Sequence, residues 1–401
     1  MRQPLRRGVP RLSARSGLQE SATTAIGERV REMQRQGIDV VALTLGEPDF
    51  DTPDHVKEAA MAAIRAGKTK YVSAPGIPEL RAAISRREQA VNHIPCEARH
   101  VLVTPSKLAC FLGLQSCVEP GDEVLLPDPG WVSYDPMVRW AGGTPVAVPL
   151  ERGTDFRMRP EAVAERITPK TRCIVLNSPS NPTGGVNTPS DVRGIVELAV
   201  DHDLWILSDE IYQGIRYEGE HVSPASLPGG WERTWTVGGL SKSFAMTGWR
   251  IGWLVAPDNA VDAAIRLQSH TITHPTSFVQ DAAVAAVTGS QESVRQMRDE
   301  FRARRDLFVP ALRELPGVSC PLPGGAFYAF PSFDPGIWGE DDVALCQRIL
   351  QEARVAGTPG SAFGSQGRGH IRFSYAASRE RLTEAIRRLQ GLAQALPAQR
   401  A

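Results

Sequence analysis

The sequence predicts an α/β fold, with a mostly parallel sheet flanked by helices and a smaller α+β domain beside it. Three observations carry this expectation. Between about residue 55 and residue 215, helical patterns alternate with short apolar runs, which is how a parallel sheet covered on both faces reads. At 401 residues the chain can bury a large core and divide it between two domains that share a cleft. Its 42% hydrophobic content, with 45 basic and 45 acidic side chains, is that of an ordinary globular protein.

The elements follow in chain order. The first residues, to about 18, are rich in Arg, Pro and Gly without hydrophobic period and read as a flexible arm. Ser21 precedes Ile26, Val30 and Met33 at helical spacing and Gly37 closes the run, so a capped amphipathic helix is expected there. Val40 to Leu43 reads as a strand. Val101 to Thr104, Glu123 to Leu126, Pro145 to Val148, Cys173 to Asn177 and Leu204 to Ser208 are the apolar runs of the sheet, and Arg233 to Val237 and Ile251 to Val255 extend it. A helix is expected from about Phe278 to Val287. Val294, Met297, Phe301, Phe308 and Leu312 then share one face of a long helix whose other face carries Arg302, Arg304, Arg305 and Asp306. Such a helix suits a bridge between domains. Runs around Ala326 to Phe330 and His370 to Ser374, and a last helix from Ser378 to about Leu392, complete the smaller domain.

Composition excludes several functions. A net charge of zero gives no general field for nucleic acid. No run of apolar residues is long enough to span a membrane, and Met1 to Glu20 carries five arginines without the apolar core of a secretory signal. The six cysteines show no metal-ligand spacing, so neither a metal site nor a disulfide framework is expected and a reducing cytoplasm is the default compartment.

Three segments carry chemistry. In Gly238 to Trp253, Lys242 lies among small and apolar neighbours, with Arg250 eight residues on. A desolvated lysine loses preference for its charged form and becomes available as a nucleophile or Schiff-base former; a loop lysine between two strands is the plainer alternative. A P-loop fails because Ser241 stands where its second glycine belongs. Asn177 to Gly184 follows a buried run, at a strand's carboxyl end where open α/β sheets bind ligands, although turn chemistry alone accounts for its prolines and asparagines. Asp209 and Tyr212 end the next strand run, where an acid also serves commonly as a helix cap.

Ser180-Asn-Pro-Thr-Gly184, then Asp209 with Tyr212, then Ser241-Lys-Ser-Phe-Ala-Met-Thr-Gly-Trp-Arg250 resemble in this order the class I and II aminotransferases of pyridoxal phosphate fold type I. The likeness runs from about residue 19 to the final helix and takes in Leu45 to Phe50, Lys70-Tyr71, Gly76 to Leu80 and Pro359 to Gly364. It is strongest toward the bacterial aspartate branch. The resemblance implies a seven-stranded-type sheet in a large cofactor domain over residues 51–290, a small domain over 291–401, and a segment over 19–50 packing with the small domain. It implies pyridoxal 5'-phosphate as cofactor and a ping-pong exchange, through pyridoxamine phosphate, of an α-amino group between L-amino acids and 2-oxo acids. Aspartate, glutamate or a broad set would be the donors.

By the same resemblance Lys242 would hold the cofactor and carry the substrate proton. Asp209 would pair with the ring nitrogen, Asn181 and Tyr212 with the ring hydroxyl, and Trp131 would stack on the ring. Arg250 would bind the phosphate with Ser106, Lys107 and backbone donors of a helix beginning near Lys107. Relatives often have a serine where Gly239 stands, so Ser241 is the substitute here. Tyr71 would reach the phosphate of a neighbouring subunit, which implies a homodimer. Arg372 would grip the substrate α-carboxylate, because a guanidinium offers a planar fork, with Asn181 and the backbone near Gly46 completing the site.

Departures bear on the substrate. The segment Val103 to Leu108 is one residue shorter than the family's usual phosphate cup, and Ser269 stands where animal-type aspartate enzymes place an arginine for the distal carboxylate. Bacterial relatives use a lysine aligned with Lys107 instead, which keeps a dicarboxylate in play, whereas Glu20 opposes one. His274 faces either an aromatic or polar substrate or packs at an interface. The alternative function is a specialised enzyme on the same scaffold: an aromatic-donor aminotransferase, or a lyase, cyclase or oxidase of secondary metabolism. A DNA-binding regulator with an aminotransferase-like domain is not expected, since only about twenty residues precede the family-like region.

Overall fold

The computed structural model describes residues 22–339 and 341–395. The expected N-terminal arm and the capping Ser21 lie outside them. The strands are β1 (Val41–Ala42), β2 (Val101–Val103), β3 (Glu123–Asp128), β4 (Thr144–Pro149), β5 (Thr171–Asn177), β6 (Trp205–Asp209), β7 (Thr234–Gly239) and β8 (Gly252–Val255), with short strands beyond residue 317. β2 to β8 form a seven-stranded sheet in the order β2-β8-β7-β6-β5-β3-β4. The pairs among β3 to β7 are parallel, and β8 runs antiparallel to both β7 and β2. The inner strands are almost wholly buried because helices cover both faces, whereas β4, at the sheet edge, leaves Thr144 and Ala147 exposed.

The expected elements form, with one difference that has a physical cause. The Val40 to Leu43 run forms its strand outside this sheet. β1 pairs in parallel with Val355–Ala356, so the segment after the Ala22–Arg35 helix belongs to the smaller unit. There Thr358–Pro359, Ile371–Ser374 and Tyr328–Ala329 make a three-stranded antiparallel sheet.

The long helix Glu292–Arg313 packs Phe301, Phe308 and Leu312 into the core. Its expected polar face is not wholly solvated. Arg304 and Arg305 are only 6% and 4% exposed. Arg304 pairs with Asp49 at 2.6 Å and Glu300 at 2.9 Å, and Arg305 lies over the Tyr217 ring while donating to the Pro323 carbonyl. Chain segments on both sides cover this face, and each buried guanidinium finds its partners there. Among the described residues no helix is long and apolar enough to cross a membrane, and no cluster of His, Cys, Asp and Glu could hold a metal ion. All six cysteines are free and buried.

Candidate active site

The carboxyl ends of β2, β3, β5, β6 and β7 open onto one side of the sheet, and a cavity of about 430 Å³ lies there. Every site residue expected from the sequence except Tyr71 lines it. Because β8 reverses direction, the loop between β7 and β8 begins and ends at this edge, which brings Lys242 and Arg250 to the same cavity. Ala245 and Arg250 hold left-handed backbone conformations in that loop, a departure that costs about 1 to 2 kcal/mol per residue and marks a segment shaped by its surroundings.

Gly239 and Gly252 face each other across β7 and β8. A Cβ at either position would overlap Ser106 Oγ. Ser106, the first residue of the Ser106–Cys117 helix, fills this two-glycine window and donates to the Gly238 carbonyl at 2.9 Å. The glycine at 239, a departure from the family's serine, therefore has a packing cause. Ser241 is buried beside it.

Lys242 is open on its cavity side, but its ammonium is enclosed by protein. Burial pulls its pKa down to about 8, assisted by the charges of Arg250 and Arg372 and opposed by Glu47 and Asp209. Its Nζ donates to the Gly46 carbonyl at 2.6 Å and lies 6.0 Å from the centre of the Tyr212 ring.

Asp209 is buried, and among the described residues no ion pair compensates its carboxylate. Tyr134 donates to Oδ2 at 2.7 Å, Cys110 approaches the same oxygen at 3.8 Å, and the Ile211 N–H reaches Oδ1. Burial raises its pKa, and these donors hold the rise in check. Asn177 donates to the Asp209 carbonyl and accepts from the Asn181 N–H, which ties the ends of β5 and β6 together. Tyr134 and Cys110 were not foreseen, and Asn177 only as the first residue of the Asn177 to Gly184 segment. Tyr134 follows Trp131 by three residues, a signal that was available, whereas Cys110 reads in the sequence only as a helical core residue.

Arg372 is 2% exposed; it donates to Asn181 Oδ1 at 2.9 Å and to the Thr44 carbonyl at 2.6 Å. Its guanidinium lies against the rings of Tyr328 and Phe363, at 4.7 and 4.9 Å, and its Nε is buried without a hydrogen-bond partner among the described residues. Tyr328 shares a 2.8 Å hydrogen bond with Tyr212. Burial, reinforced by Tyr328, pushes the Tyr212 pKa well up, so its hydroxyl keeps its proton. Lys107 lies 5.0 Å from the centre of the Trp131 ring, and burial and Arg250 lower its pKa. Arg250 itself is exposed and donates to the Thr247 carbonyl.

Tyr71 lies away from the cavity, 88% exposed, edge-on to His274. His274 accepts from the Val72 N–H through Nε2 and contacts the Pro275 carbonyl through Nδ1 at 2.7 Å, so Nδ1 carries the proton. Within the chain it braces the Tyr71 segment and does not line the cavity. Nor does Ser269, whose hydroxyl donates to Arg266.

The cavity at the carboxyl edge of a doubly covered α/β sheet thus gathers a buried amine, a carboxylate without an ion-pair partner among the described residues, and a buried arginine from the smaller unit. Residues 38–389 match the family model described as aminotransferase class I and II, and the chain belongs to that family. It is 43% identical over 375 residues to the aspartate/prephenate aminotransferase of Thermus thermophilus, covering 92% of this chain and 95% of that protein. It is 42% identical over 362 residues to aromatic-amino-acid aminotransferase 2 of Thermococcus litoralis, covering 88% and 92%. The solved structure of the Thermus thermophilus aspartate aminotransferase with maleate superposes with a TM-score of 0.91 at 42% identity, covering 96% of this chain and all of that one. The protein is an aminotransferase of fold type I, and enzymes of this class use pyridoxal phosphate.

Proposed function

We propose that this enzyme moves the α-amino group of an L-amino acid to a 2-oxo acid with pyridoxal 5'-phosphate held in the cavity, and that aspartate and glutamate are its main donors. The observation that carries the reading is one cavity holding a desolvated amine, Lys242, a buried carboxylate without an ion-pair partner, Asp209, and the buried Arg372.

The residues fit the cofactor. Bound there, pyridoxal phosphate supplies an aldehyde and an electron-withdrawing ring that renders the Cα–H bond of an attached amino acid acidic. Asp209 would face the ring nitrogen and hold a proton on it, with Tyr134, Cys110 and the Ile211 N–H fixing the carboxylate's orientation. Trp131 would cover the ring face, and Tyr212 and Asn181 would meet the ring hydroxyl. Arg250, Ser106, Ser241 and the N–H groups opening the Ser106–Cys117 helix would take the phosphate, where helix N-termini favour anions. Arg372, its Nε awaiting an acceptor, would grip the α-carboxylate with Asn181 and the backbone near Gly46. Lys242 Nζ would then accept the proton from Cα and return it, a task suited to an amine whose pKa lies near the working pH. Lys107 would meet an anionic substrate side chain from the sheet side of the cavity.

An aromatic donor is the second reading. It rests on the Thermococcus litoralis relative and on the Trp131, Tyr134 and Tyr328 rings lining the cavity. We also read the protein as a cytoplasmic homodimer in which Tyr71 of one subunit completes the phosphate site of the other. Free buried cysteines suit a reducing compartment.

The test is borohydride reduction of the holoenzyme followed by peptide mapping, with a donor panel run as single half-reactions. Label on Lys242 and conversion by aspartate and glutamate are expected. Label on another lysine overturns the site, and conversion by aromatic donors alone shifts the reading to the second one.

A further inference from the structure

The helix Ala22–Arg35 turns Val30 and Met33 into a small apolar cluster with Val40 and Ala356. A neighbouring strip of the same helix faces the cavity instead, and it consists of Gly27 and Arg31, one turn apart. Neither belongs to any motif of the family resemblance. Gly27 is buried and has no side chain. A Cβ placed on it would stand 3.7 Å from Arg31 Nη1 and 3.8 Å from Leu45 Cδ2. The guanidinium therefore folds back along the helix, in the direction helical side chains lean, and lies against Gly27 toward Leu45.

The other cations of the cavity wall have defined contacts. Arg372 is tied to Asn181 and Thr44, Lys242 to Gly46, Arg250 to Thr247, and Lys107 lies over Trp131. Arg31 differs. Its side chain is 55% exposed, and the ion pair it makes among the described residues is with Glu28 at 3.9 Å, itself 66% exposed. Such a surface contact holds a guanidinium only weakly. Arg31 and Arg372 line the same cavity, and Leu45, which lies beside Gly27, directly follows Thr44, whose carbonyl orients Arg372.

We propose that Arg31 is a specificity-determining residue that reads the distal carboxylate of a dicarboxylic amino acid, from a different helix than the one that carries Lys107. A guanidinium offers the planar pair of donors that a carboxylate accepts, and Arg31 brings it to a cavity where Ser269 supplies no cation. The inference rests on the aminotransferase reading above. It assigns to this helix a share of side-chain selection, while Arg372 treats all amino acids alike.

The experiment compares holoenzyme of the wild type, Arg31→Gln and Arg31→Lys with L-aspartate, L-glutamate, L-alanine and L-phenylalanine as donors. Maleate and propionate are also titrated by the change in cofactor absorbance. Arg31→Gln is expected to lower kcat/KM for the two dicarboxylic donors by about 10- to 100-fold, the worth of a charge-assisted hydrogen bond, and to weaken maleate binding in parallel. Alanine, phenylalanine and propionate should change by less than about twofold, within the range of surface substitutions. Arg31→Lys should recover part of the loss, since it keeps the charge without the fork. Equal losses on all donors, or unchanged dicarboxylate kinetics and maleate affinity, overturn the proposal. A wild type that converts alanine or phenylalanine but neither dicarboxylic donor overturns it too, while leaving the aminotransferase reading intact. A wild type that converts no donor overturns both.

Discussion

Lys242 shows how a single side chain is set by its surroundings. Its pKa falls from an ordinary 10.5 to about 8 because the ammonium is buried. The folded value lies below the unfolded one, so below pH 8 the apoprotein carries the full penalty of a buried charge. Between pH 8 and 10.5 the unfolded chain binds more protons than the folded one, and stability rises with pH as the penalty disappears. Lys242→Met apoprotein should therefore be more stable than wild-type apoprotein at pH 7, by up to about 3 kcal/mol, and lose that advantage by pH 10.5. Denaturant midpoints across this pH range check it, and a gap that does not change with pH would rule it out. Small and apolar neighbours in the sequence made desolvation of Lys242 one of two readings, and the role expected for it came from the resemblance. Its contact with Gly46 was not legible in the sequence, since the two residues stand 196 positions apart.

At the scale of elements, the β7–β8 pair carries the chemistry through its direction and its glycines. The antiparallel return of β8 brings Arg250 back to the edge that Lys242 leaves. Facing glycines at 239 and 252 leave room for Ser106, and Gly239→Ala should force Ser106 to move, costing about 1 to 3 kcal/mol of stability. The double variant with Ser106→Ala should recover most of that loss. Chemical denaturation of the two variants decides the matter, and a neutral Gly239→Ala would mean that the window is not tightly packed. The periodicity of the sequence located these strands to within one or two residues. It could not say that β8 runs backwards, because an apolar run reads alike in both directions.

For the whole molecule, the position of Tyr71 is the main consequence. An exposed tyrosine braced by His274, outside a cavity that all the other expected residues line, makes sense as a group offered to a second subunit. The protein should sediment as a dimer. Tyr71→Phe should weaken cofactor retention by the worth of one hydrogen bond to a charged acceptor, about 1.5 to 3 kcal/mol. A fully active monomer in sedimentation velocity would refute the shared site. The long helix Glu292–Arg313 adds a second large-scale feature, because its buried Arg304 pairs with Asp49 and so ties the smaller unit's helix to the segment that follows β1.

The sequence by itself determined the layered α/β architecture, since buried parallel strands must be apolar throughout and the helices between them must be amphipathic. Its motifs also carried the resemblance from which the proposed reacting set, Lys242, Asp209, Tyr212, Asn181, Arg250 and Arg372, was drawn, and all six line one cavity. Tertiary structure alone decided which distant groups complete those residues. Tyr134 and Cys110 reach Asp209 from two different helices, Thr44 orients Arg372 from 328 residues away, and Arg31 comes to the same cavity from the Ala22–Arg35 helix. The reason is physical. Propensity and hydrophobic period act over a few residues, whereas a hydrogen bond or a missing Cβ matters only where the folded chain brings remote segments into contact.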